Sequence, residues 1–97
     1  MESNKVFIGQ KDLKYYFPAC FFALGKSDTI KIVARGKNTK KALDLLAILK
    51  REYLESPKYS IEIDSEKFVD ENNDGKERYV TTIEIELSGV RKERNNK

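Results

Sequence analysis

Thr29-Ile30-Lys31-Ile32-Val33-Ala34-Arg35-Gly36-Lys37-Asn38-Thr39-Lys40-Lys41-Ala42-Leu43-Asp44 is the stretch that decides the fold. From Thr29 to Ala34 the run is mostly β-branched and, Lys31 apart, apolar. That is the near-continuous pattern of a central strand in a parallel sheet. Gly36 turns the chain. Asn38 or Thr39 then caps a helix whose apolar positions, Ala42, Leu45, Leu46, Leu49 and Tyr53, keep helical spacing to about Leu54. Leu43, Ala47 and Ile48 widen the apolar arc beyond what one sheet needs, which leaves two readings open: a deep core or a contact between subunits.

Working outward toward the N-terminus, the same strand–turn–helix order recurs. Lys5-Val6-Phe7-Ile8-Gly9 reads as a short buried strand ended by glycine, and Asp12 as a helix N-cap. Leu13, Tyr16, Phe17, Cys20, Phe21 and Leu24 then mark one helical face. Pro18 lies inside this pattern and is expected to kink the helix or loosen its first turn. Gly25-Lys26-Ser27-Asp28 breaks it. Toward the C-terminus, Ser56-Pro57 is expected to end the second helix. Tyr59, Ile61 and Ile63 alternate with Ser60, Glu62 and Asp64, a strand with one wet face. Asp70 to Gly75 is a turn of the Asp-Gly hairpin type. Tyr79, Thr81, Ile83, Ile85 and Leu87 alternate along the returning strand.

The order is βαβαββ. A right-handed crossover makes the first two strands parallel. The expected fold class is α+β, a two-layer α/β sandwich in which a four-stranded mixed sheet carries two helices on one face. Residues 1–88 form the single domain, and residues 89–97 read as a basic, disordered tail. In this topology both strand-to-helix turns, Gly9-Gln10-Lys11 and Arg35-Gly36-Lys37, emerge at one edge of the sheet, where open α/β sheets bind ligands.

The charge pattern singles out that edge. The chain has 97 residues and a net charge of +3, unevenly spread. Residues 1–50 hold ten Lys/Arg against four Asp/Glu, and residues 51–97 nine against twelve. Such asymmetry suits a nucleic-acid face on the first half. Arg35, Lys37, Lys40 and Lys41 crowd the start of the second helix, with no acid among them. A helix N-terminus carries roughly half a positive charge, so cations there oppose the helix dipole. The arrangement is an anion seat, and phosphate is the expected anion. Topology brings Lys11 beside it.

Other chemistry is excluded or weak. There is no histidine, so His-based triads and His-ligated metal sites are ruled out. The one cysteine, Cys20, has no partner for an intrachain disulfide, suits a reducing intracellular setting, and reads as a small core residue. Gly9 and Gly36 are isolated and form no phosphate or dinucleotide loop. Asp64, Glu66, Asp70, Glu71 and Asp74 lie along the hairpin, where acids solvate an exposed edge. Tyr15 and Tyr16 read as packing or structural hydroxyls in preference to base-stacking groups. The start of the chain shows no signal peptide, and no segment approaches the length of a membrane helix. No enzyme activity, metal, cofactor, membrane or small-molecule substrate is expected.

Three segments carry a family resemblance. The first is Ile8-Gly9 followed by Gln10-Lys11. The second is Val33-Ala34-Arg35-Gly36-Lys37 leading into Lys41-Ala42-Leu43-Asp44. The third is Asp74-Gly75 followed by Tyr79-Val80-Thr81-Thr82-Ile83-Glu84-Ile85. In this order and spacing the chain resembles the Alba family, small basic chromatin proteins of archaea. The resemblance implies a cytoplasmic, chromosome-associated homodimer that binds double-stranded DNA, and often RNA, with little sequence preference. Binding to structured RNA, or pairing with a more basic paralogue, is the alternative. It places Lys11, Arg35 and Lys37 against nucleic acid, with Lys76 and Arg78 as hairpin contacts; Lys40 and Lys41 join them on the helix-terminus argument. Two departures stand out: the turn after the first strand has Gln10 where the family often has lysine, and the outgoing hairpin arm is acidic.

Overall fold

A computed structural model describes residues 4–70 and 75–92, the side chain of Asp70 excepted. Strand β1 (Lys5–Ile8) leads through a 3-10 turn (Leu13–Tyr15) to helix α1 (Phe17–Lys26). Strand β2 (Thr29–Arg35) leads through a second 3-10 turn (Gly36–Asn38) to helix α2 (Thr39–Ile48). A π turn (Leu49–Tyr53) carries α2 into strand β3 (Leu54–Asp70), and strand β4 (Lys76–Arg91) returns. The sheet order is β1-β2-β4-β3. β1 and β2 are parallel, and β4 pairs antiparallel with both β2 and β3. The expected α+β architecture, a four-stranded mixed sheet with two helices, is therefore the one observed.

The core forms between the helices and one sheet face. Val6, Ile8, Ile30, Ile32, Ala34, Ile83, Ile85 and Leu87 supply the sheet side. Cys20, Ala23, Ala42, Leu45, Leu46 and Leu49 supply the helix side. Burial removes Cys20 from water and pushes its thiol up to about 12, because the thiolate is the form that burial disfavours. Among the described residues the other sheet face has no covering layer; Phe7 stands 67% exposed on it. β2 is central, as its apolar run predicts, but only alternate residues of that run are deeply buried.

Several local expectations need correction. Pro18 sits in the opening turn of α1, where its missing N–H costs nothing, and the residues before it form a separate 3-10 turn. Neither Asp12 nor Asn38 makes a side-chain capping bond; at the first turn it is the Asp12 carbonyl that accepts, from Tyr15 N–H. The helical turns end at Tyr53, close to the expected Leu54, but Ser56-Pro57 is not what stops them. The chain is already extended at Leu54, and Ser56 (φ 49°) lies in a register shift between Glu55 and Lys58. Tyr59, Ile61 and Ile63 pair opposite Leu87, Ile85 and Ile83, and so stand on the helix side of the sheet. β3 is an edge strand that leaves the helices behind along its length: Leu54 is in the core, Tyr59 lies under the Lys50 ammonium, and Ile63 is 71% exposed. The domain also extends past residue 88, since Val90 pairs with Glu55 and Arg91 with Leu54. The hairpin tip at residues 71–74 and the tail at 93–97 lie outside the described residues.

Candidate nucleic-acid interface

Both strand-to-helix turns lie at the same end of the sheet, because β1 and β2 are parallel neighbours. The first turn is closed by its neighbours. Tyr16 is buried, and its hydroxyl accepts hydrogen bonds from the N–H groups of Gly9 (2.8 Å) and Lys11 (3.2 Å). Lys41 Nζ reaches over from α2 and donates to the carbonyls of Gly9 (2.8 Å) and Lys11 (2.7 Å). An ammonium has three donors, so two of those of Lys41 are engaged in joining the turns. The structure thus brings Lys11 and Lys41 together, and the Lys11 side chain is exposed.

The second turn is open. No side chain caps the 3-10 turn or α2, and neither first turn carries an acid. Gly36 holds a left-handed conformation (φ 61°), which lets the strand pass directly into the turn. Arg35 and Lys37 are exposed. Lys40 is exposed too, and its ammonium pairs with Asp44 one helical turn on, at 2.8 Å.

The hairpin supplies the third side. β2 ends at Arg35, opposite Thr82, whereas β4 begins at Lys76. Residues 76–81 therefore run on past the end of β2, paired with β3 alone among the described residues. A cleft of about 720 Å³ lies between this arm and the second turn, lined by Arg35, Gly36, Lys37, Asn38, Phe68, Arg78, Tyr79 and Val80. The structure gathers Arg35, Lys37 and Arg78 around that cleft. It keeps Lys76 away from it, at the far end of the arm opposite Asp70.

Phe68 is the residue that sequence reasoning missed. It is half-buried, and the Arg35 guanidinium carbon lies 5.0 Å from its ring centroid, within cation–π range. The available signal was an aromatic side chain in an otherwise acidic and polar arm. Across the hairpin Lys67 of the outgoing arm pairs with Glu77 of the returning arm, which offsets the one acid that stands between Lys76 and Arg78. Tyr16 is the structural hydroxyl anticipated for it, whereas Tyr15 is exposed beside Lys14. No cluster of metal-ligating side chains forms among the described residues, and none of their helices is long and apolar enough to cross a membrane.

The Alba family profile matches residues 4–63, spanning β1, both helices and the first half of β3. The chain belongs to the Alba family. It is 38% identical over 87 residues to a DNA/RNA-binding protein Alba of Nitrosopumilus maritimus, covering 87% of this chain and 88% of that one. It is 33% identical over 90 residues to the protein of the same description from Picrophilus torridus, covering 90% and 97%. The structure of Alba from Thermoplasma volcanium superposes with a TM-score of 0.73 at 33% identity, over 88% of this chain and 99% of that one. The Alba relatives are thus described by what they bind and carry no enzyme name.

Proposed function

We propose that this Alba-family chain is a sequence-nonspecific, non-enzymatic binder of double-stranded DNA, associated with the chromosome and acting as a homodimer. The observation that carries the reading is the second turn: exposed Arg35 and Lys37 beside uncapped helix N–H groups, with Arg78 facing them across the cleft. Exposed cations and backbone donors gathered at one turn satisfy phosphate oxygens, which is the chemistry of backbone binding. Lys11 extends the surface onto the first turn, and Lys76 extends it along the hairpin arm. Lys40 and Lys41 contribute charge while held by Asp44 and by the first turn's carbonyls. The name of the relatives, DNA/RNA-binding, supports the polymer class and leaves structured RNA as the second ligand to be compared.

The dimer rests on apolar surface left uncovered in one chain. Leu43 on α2 is 43% exposed, and Ile61 and Ile63 of β3 are exposed on the same side of the sheet as the helices, next to Tyr59 under the Lys50 ammonium. The wide apolar arc of α2 then serves a subunit contact.

Salt titration tests the reading. About four phosphate contacts per subunit give log K against log salt a slope near −7 for the dimer. Arg35→Ala with Lys37→Ala removes about four of the eight contacts, so the slope falls to about half and all duplex sequences weaken alike. A wild-type slope shallower than about −2 overturns the proposal. Parallel titration on duplex RNA of equal length decides between the polymers, since a preference for RNA marks contact with the 2′-hydroxyl.

A further inference from the structure

The cleft beside Arg35 has a composition that phosphate binding does not explain. Register places Arg35 opposite Thr82, Phe68 opposite Arg78, and Glu66 opposite Val80. Paired residues share a face, so Arg35, Phe68, Arg78 and Val80 all stand on the uncovered face of the sheet. Phe68 and Val80 give the cleft an apolar floor, and Arg35, Lys37 and Arg78 ring it with cations. Among the described residues no acidic side chain lines it, although Glu66 stands on the same face opposite Val80. Its volume, about 720 Å³, lies within the range of small-ligand sites.

A phosphate alone needs the rim and not the floor. An apolar peptide would use the floor and leave three cations without partners. The ligand that uses both has a flat apolar ring joined to an anion, and that is a nucleotide. Inside a duplex the ring faces are already stacked on their neighbours. An unpaired base has no such obstacle.

Resting on the nucleic-acid reading above, we propose that this cleft takes one unpaired nucleobase, which displaces the Arg35 guanidinium from over the Phe68 ring and stacks there, with its own phosphate held by Arg35, Lys37 and Arg78. The site makes the protein prefer nucleic acid that carries an unpaired nucleotide, at an end, a bulge or a single-stranded junction, over a continuous duplex. Stacking on an aromatic side chain is tolerant of base identity, so the preference is for the unpaired state and not for a sequence.

The test compares a blunt duplex with the same duplex extended by one unpaired 2-aminopurine nucleotide, using the full chain. The expected result is about tenfold tighter binding of the extended duplex, with 2-aminopurine fluorescence quenched on binding. Phe68→Leu keeps apolar volume but removes the ring. It is expected to bind the two duplexes with equal affinity and without quenching, and Phe68→Tyr to retain the preference. Equal wild-type affinities, or a preference that survives Phe68→Leu, overturn the nucleobase site. If the blunt duplex still shows the steep salt slope in that case, the phosphate interface stands. A shallow slope on the blunt duplex overturns both. The wild-type comparison decides the proposal even where Phe68→Leu folds poorly.

Discussion

The two strand-to-helix turns occupy equivalent places in the topology and differ in what is left over. In the turn after β1, the N–H groups of Gly9 and Lys11 are taken by the Tyr16 hydroxyl, and their carbonyls by Lys41. In the turn after β2, no side chain caps the backbone, and Arg35 and Lys37 are exposed. Both regions are rich in lysine or arginine, so cation count does not separate them. Whether side chains already hold the backbone does. A turn held by side chains is scaffold, and one without a side-chain cap beside exposed cations has capacity for an anion. The second unit also builds the first, because Lys41 belongs to α2 and closes the turn that follows β1.

This contrast breaks most readily at Lys41. Lys41→Met removes the donor to two carbonyls and is expected to cost about 2 kcal/mol, the range for hydrogen bonds that involve a charged group. In a domain of this size that corresponds to a fall in melting temperature of roughly 8–16 °C, measured at fixed protein concentration, since the proposed dimer would make stability concentration-dependent. Gly36→Ala probes the open turn. Its cost is expected at about 1 kcal/mol, since it forces a side chain into the left-handed region while removing no hydrogen bond. Urea unfolding at constant m resolves that difference. Lys40→Ala is the smallest: an exposed pair at i,i+4 contributes about 0.3–0.5 kcal/mol, so stability changes within that range. Should Lys40→Ala destabilise as much as Lys41→Met, the distinction between a bridging lysine and a surface lysine fails.

Element order, strand direction and the convergence of the two turns follow from hydrophobic periodicity and crossover handedness, which are local signals constrained by one topological rule. What periodicity does not report is whether a layer waits on the far side. Tyr59, Ile61 and Ile63 alternate as if buried, yet β3 lies at the sheet edge and leaves the helices behind along its length. Asp12 and Asn38 are residue types that cap helices, but here 3-10 turns precede both helices and the side chains make no capping bond. The partners of Lys41 are backbone carbonyls about thirty residues away in the chain, which residue type cannot announce. Phe68 acquires its meaning only from register, through its place opposite Arg78 and under Arg35. The extension of β4 to Arg91 escaped notice because Gly89 and the charged residues after it read as tail, while the pairing that orders them lies back at Leu54 and Glu55.

The edge position of β3 has one more consequence. Among the described residues this strand pairs with β4 alone, so along 17 residues its outer side presents backbone groups that another chain's strand could engage. Open edges of this length seed aggregation when they are flat and apolar. Here Pro57 removes a donor, the register shift beside it bends the strand, and Glu55, Lys58, Glu62, Asp64, Glu66 and Lys67 spread charge along it. The acids of this hairpin thus keep it from templating an endlessly growing sheet.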